Sequence, residues 1–153
     1  MHQKELARVE MRVDIDTLDL LDEKGFAILN ADDVRFFNKV KDTIKANVLT
    51  YGIDHKADVM AKNIHLFIDH TEFDLYYKDE VYHIDAPVIC EFNVSNMLAV
   101  ISALISLEMP VEEIVIALKE LKGVEGRMEI VRHPYNFNVI IDYCQNVSNY
   151  KKV

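Results

Sequence analysis

The chain has 153 residues, half of them hydrophobic and 28% charged, which suits one ordinary domain with a sizeable core and excludes a disordered chain. Its formal net charge of −9 argues against a nucleic-acid binder, because phosphates must be met by a basic surface.

Residues 1–22 are charged throughout and contain no apolar core of a signal peptide; any helix there is poorly marked. The run Gly25-Phe26-Ala27-Ile28-Leu29-Asn30 predicts a short buried strand, closed by Ala31-Asp32-Asp33. Asp32 or Asp33 is placed to cap a helix on which Val34, Phe37, Val40 and Ile44 share one face. Carboxylates also suit magnesium, but a cap is the better account of this pair. Asn47 to Tyr51 predicts a second strand ending at Gly52, and strand, helix, strand over this length reads as a parallel β-α-β unit.

After Asp58 the pattern changes. Val59 to Ile68, Phe73 to Tyr77 and Val81 to Ile84 are β-prone segments joined by polar turns, an antiparallel meander ended by Pro87. His65, His70 and His83 fall within it without recognisable ligand spacing, so no metal site is assigned. Asn93 to Leu107 predicts a helix apolar nearly all round, and therefore buried. Met97 to Leu107, the longest apolar stretch, is broken by Ser102 and Ser106 and is too short to span a bilayer. Pro110 opens a further helix with Glu112 and Glu113 at its positive end and Val111, Ile114, Val115, Leu118 and Leu121 on one face. Gly123 and Gly126 end it, and Phe137 to Tyr143 predicts a last strand, its Val-Ile-Ile centre buried. The two cysteines, Cys90 and Cys144, form no CxxC pair and read as isolated thiols of a reducing compartment. A cytoplasmic location, away from the membrane, is the expectation.

Several motifs then fall in one order: Gly25-Phe26-Ala27-Ile28-Leu29-Asn30-Ala31-Asp32-Asp33, Leu49-Thr50-Tyr51-Gly52-Ile53, Phe92-Asn93-Val94-Ser95-Asn96, Gly123-Val124-Glu125-Gly126-Arg127-Met128-Glu129 and Val139-Ile140-Ile141-Asp142-Tyr143. This series resembles the Mur ligases, most closely the UDP-N-acetylmuramoyl-tripeptide synthetases that attach the third residue of the peptidoglycan stem peptide. Members have an N-terminal domain for the UDP-sugar, a central ATPase domain and a C-terminal Rossmann-like domain. The resemblance implies an α/β fold: the second half of the central domain, with parallel strands, helices and a small antiparallel meander over residues 59–84. The implied division is a divergent segment 1–22, a partial central domain 23–132 and the start of the C-terminal domain at 133–153.

The resemblance also implies roles for single residues. Asn93 and Asn96, three apart on one helix face, carry carboxamides able to read an adenine edge, and the family places this pair beside the adenine. The bland alternative for Asn93 is a helix cap. Arg127, after Gly126, inherits a place near the nucleotide phosphates, against the alternative of an ion pair with Glu125 or Glu129. Asp142, at the end of a strand, matches the family's ribose-binding Asp, against the alternative of a turn former. No catalytic residue is assigned. For the complete enzyme, ATP with Mg2+ is the implied cofactor, and UDP-MurNAc-peptide and an amino acid are the substrates.

The match also has departures. None of the four glycines, 25, 52, 123 and 126, starts the GxxxxGK[ST] loop that cradles a triphosphate. After Asp142-Tyr143, Cys144-Gln145-Asn146-Val147-Ser148 stands where close members read Ala-His-Thr-Pro-Asp. Cys90 stands where a glycine is usual shortly before the Phe-Asn pair, a change expected to alter that loop. Two expectations from different classes follow. One is a part of an ATP-dependent amide-bond ligase, inactive alone and completed by complementary Mur ligase segments. The other is a non-catalytic remnant serving as a binding or interaction module. Another branch of the superfamily, such as a cyanophycin or folylpolyglutamate synthetase, fits the Gly-Arg-Met-Glu and Asn-Ala-Asp-Asp contexts less well.

Overall fold

A computed structural model describes residues 23–123, 125–131 and 133–143; the expectations for 1–22 and 144–148 lie outside them. Strand β1 (Phe26–Asn30) leads through helix α1 (Val34–Val40) to β2 (Asn47–Gly52), which pairs with β1 in parallel from Phe26↔Asn47 to Asn30↔Tyr51. This is the expected β-α-β unit. Asp33 is the residue that caps α1, its carboxylate accepting from the Phe36 amide at 3.1 Å. Alternation along β1 buries Ala27 and Leu29 against Val40, with Phe36, Phe37 and Ile44 packed around them.

The meander is β3 (Val59–Leu66), β4 (Thr71–Tyr77) and β5 (Glu80–Ala86), antiparallel throughout. It does not form a sheet of its own. β3 continues the parallel edge of β2 through Tyr51↔Val59 and Gly52↔Met60, so one five-stranded sheet runs in the order β1-β2-β3-β4-β5. The inward side chains Val59, Ala61, Phe73, Leu75, Ile84 and Ala86 make the sheet side of the main core. The opposite face of the meander carries His83, Asp74, Glu72 and Asp85 and faces water, as one side of an antiparallel sheet can.

Helix α2 (Glu91–Ser106) covers the inner face and touches β1, β2 and β3, while α3 (Val111–Lys119) packs on β5. The expectation that α2 would be buried all round is corrected. Val94, Met97, Leu98, Ile101 and Ser102 are buried, whereas Val100 on the far side is 54% exposed, because the sheet and α3 cover only one side of the helix. The Ser102 hydroxyl donates to the Leu98 carbonyl at 2.7 Å, which lets a polar group sit in the core.

The last two strands, β6 (Glu129–Val131) and β7 (Val139–Ile141), pair antiparallel in a separate two-stranded ribbon. The predicted burial of β7 is also corrected: Val139, Ile140 and Ile141 are all exposed, since β6 is its single strand neighbour among the described residues. No helix among the described residues is long and apolar enough to cross a membrane.

Candidate functional site

A cleft of about 650 Å3 opens where β1 and β2 end and α2 begins. Asn30, Asp32, Ile53 and Asp54 line it from the strand side, and Phe92 and Asn96 from the helix. This is the carboxyl edge of parallel strands, where α/β proteins take ligands.

Asp32 organises the strand side. Its carboxylate accepts from the amides of Ile53 (2.6 Å), Asp54 (3.1 Å) and His55 (2.8 Å), and contacts His55 Nδ1 at 3.1 Å. Partial burial alone would raise its pKa. The hydrogen bonds from the Ile53 and His55 amides, the His55 ring and the Asp54 amide together outweigh burial and lower it. The Asn30 side-chain oxygen accepts from the Asp32 amide at 2.9 Å, the local turn that aims this carboxylate. Gly52 leaves the room for it: a Cβ there would lie 3.0 Å from the His55 carbonyl oxygen and 3.2 Å from Asp32 Oδ1. Thr50 and Asp58 close the loop 53–58 reciprocally. Asp58 Oδ2 accepts from the Thr50 amide (2.9 Å) and hydroxyl (2.6 Å), and the Asp58 amide donates to Thr50 Oγ1 (2.9 Å). The capping alternatives for Asp32 and Asp33 thus divide, with Asp33 capping α1 and Asp32 holding the loop.

On the helix side, Asn93 and Asn96 are joined, Asn96 Nδ2 donating to Asn93 Oδ1 at 3.3 Å. Asn93 Nδ2 donates to the Ile89 carbonyl at 2.7 Å, so Asn93 braces the entry to α2 rather than capping it. The capping position belongs to Cys90, which makes no side-chain cap bond and has φ 75° and ψ 143°. Burial, and then the nearby Asp142 carboxylate, push the Cys90 thiol up.

Arg127 and Asp142 are brought together across the β6–β7 ribbon. Arg127 Nη1 donates to the Tyr143 carbonyl at 2.8 Å, its guanidinium 5.8 Å over the Tyr143 ring, and Asp142 Oδ1 accepts from the Met128 amide at 3.2 Å. The expected alternative, an ion pair with Glu125 or Glu129, is absent among the described residues; Glu129 instead accepts from the Gly126 amide at 2.9 Å. Asp142 directly follows β7, at the end of a strand as expected, and the partner of that strand, β6, runs antiparallel to it. Of the four site residues read from the sequence, Asn96 lines the cleft, Asn93 stands behind it, and Arg127 and Asp142 form a second group near Cys90. Sequence reasoning missed Phe92 as a lining residue, and the loop-holding role of Asp32, although the Asn30-Ala31-Asp32 turn was its available signal.

The family profile described as the Mur ligase middle domain matches residues 17–104. The chain belongs to the Mur ligase family. It is 40% identical over 129 residues to a UDP-N-acetylmuramoyl-L-alanyl-D-glutamate--2,6-diaminopimelate ligase of Bacillus velezensis, covering 83% of this chain and 26% of that protein. It is 35% identical over 135 residues to a UDP-N-acetylmuramoyl-L-alanyl-D-glutamate--L-lysine ligase of Staphylococcus haemolyticus, covering 88% and 27%. The chain thus spans about a quarter of the length of these relatives. Among solved structures, a MurF ligase from Thermotoga maritima in complex with ADP shares the fold with a TM-score of 0.78 at 18% identity, over 93% of this chain and 32% of that one. The fold expected for a Mur ligase central domain is therefore the fold observed.

Proposed function

We propose that this chain provides the adenine side of the nucleotide pocket in an ATP-dependent ligase that adds the third amino acid to UDP-MurNAc-dipeptide in the cytoplasm. The observation that carries this reading is the cleft at the carboxyl edge of β1 and β2, closed by the first turns of α2 with the Asn93–Asn96 pair. Phe92 offers a ring face and Asn96 a carboxamide, which suits a heteroaromatic base with an amide-like edge. Asp32, Asp33, Asp54 and Glu91 give the same cleft a negative field that disfavours a triphosphate. The base and ribose would lie here and the phosphates would run outward, with Arg127 as the cation near them and Asp142 at the ribose. In such an enzyme ATP activates a carboxylate as an acyl phosphate; the residues here bind and orient its base and ribose. The magnesium-bound triphosphate and the two substrates would be held by complementary Mur ligase segments.

Calorimetric titration of the purified chain tests this reading. Adenosine and ATP with magnesium should bind with similar affinity, and Asn96→Ala should weaken both by about tenfold, the size of one lost hydrogen bond to a buried partner. No adenine-dependent heat, or binding indifferent to Asn96, overturns the proposal. So does ADP formation by the chain alone.

A further inference from the structure

The solvated face of the meander holds a second constellation. Register places Glu72 on β4 directly opposite Asp85 on β5. Two carboxylates facing each other across strands repel, and a cation between them would offset that repulsion. His70, two residues before Glu72, supplies the third member: ligand atoms of His70, Glu72 and Asp85 all lie within 4.8 Å of one another.

The imidazole is held in the manner of a metal ligand. A carboxylate can only accept, so the 2.7 Å contact of Asp69 Oδ1 with His70 Nδ1 puts the ring proton there and leaves the Nε2 lone pair toward the other two residues. Nε2 lies 3.7 Å from Glu72 Oε1. The Phe67 ring stacks on the imidazole at 4.2 Å and 4°, fixing its plane. Between the two ligands in sequence, Thr71 points inward, fully buried, and donates to the Val88 carbonyl at 2.7 Å, which pins this end of β4.

We propose that His70 Nε2, Glu72 and Asp85 form a binding site for a divalent ion of the zinc type. One imidazole and two carboxylates supply three ligands of the nitrogen and oxygen types that zinc takes, and leave a fourth position to water. The imidazole disfavours magnesium, which prefers oxygen ligands. The carboxylates are exposed enough to close on the ion by side-chain rotation. The site is separate from the nucleotide cleft, and no residue is shared between them.

Zinc titration of the full chain at neutral pH, by calorimetry and by thermal melting, tests the proposal. One zinc per chain is expected, undisturbed by excess magnesium, with a rise in melting temperature. His70→Gln and the near-isosteric Glu72→Gln should each weaken zinc binding by at least about tenfold, and Asp69→Ala by a similar factor through the ring it orients. His83→Gln, on the same face but outside the set, should bind as the parent does. Unchanged metal-free melting curves show that the variants are folded. Absence of saturable zinc binding, or equal zinc affinity in the parent and in both His70→Gln and Glu72→Gln, overturns the site.

Discussion

Strands β1 and β7 carry nearly the same message in sequence, Ala-Ile-Leu in one and Val-Ile-Ile in the other, and meet opposite fates. In β1, Leu29 is 3% exposed, because β2 pairs along its whole length and α1 lies over the Ala27 and Leu29 face. In β7, Ile141 is 48% exposed, because β6 pairs with it over three residues and neither core cluster among the described residues takes it in. An apolar run states that a strand needs cover; it does not say where that cover comes from.

That contrast can be broken most strongly by truncation. Leu29→Ala should destabilise the chain by about 3 kcal/mol, the usual cost of a cavity in a packed core, whereas Ile140→Ala should cost below about 1 kcal/mol. Paired urea denaturation curves decide it, and equal losses would mean that β7 is covered after all.

Asp32 gives the next largest effect, at the edge that β1 shares with the cleft. Asp32→Asn should cost about 2 kcal/mol near neutral pH, since three backbone amides lose a charged acceptor. The folded pKa lies below the ordinary 3.8, so the carboxylate contributes stability above that value. That contribution falls away as pH drops through the folded pKa. Stability of parent and variant, measured from neutral pH downward, should therefore converge under acid; a constant gap would contradict the assigned role.

The smallest effect sharpens the comparison at the entry to α2. Cys90 occupies backbone space that favours glycine, so Cys90→Gly should stabilise by about 1 kcal/mol despite the added freedom of the unfolded chain. A shift in thermal midpoint measures it, and a loss of stability would show that the thiol packs better than the strain costs.

These residues also show what could be read in advance. The β-α-β unit, the meander and the two later helices were legible because each carries its own period and its own turn signals. The family likeness was legible because several motifs keep their order. Cys90 in place of glycine was legible as an oddity, and the positive φ supplies its physical content. Three features were not. The fusion of the meander to β2 depends on a two-residue pairing that no local pattern marks. The His70–Glu72–Asp85 group depends on the register of β4 with β5, so ligand spacing along the chain could not show it. The exposure of β7 depends on which elements pack nearby, which no property of Val-Ile-Ile contains.

The join between β2 and β3 has a consequence of its own. Because only Tyr51↔Val59 and Gly52↔Met60 stitch the strands, the meander is joined to β1 and β2 less by backbone pairing than by the core it shares with them beneath α2. Side-chain packing, more than the hydrogen-bond ladder, therefore sets how the meander lies against the strands that carry the cleft.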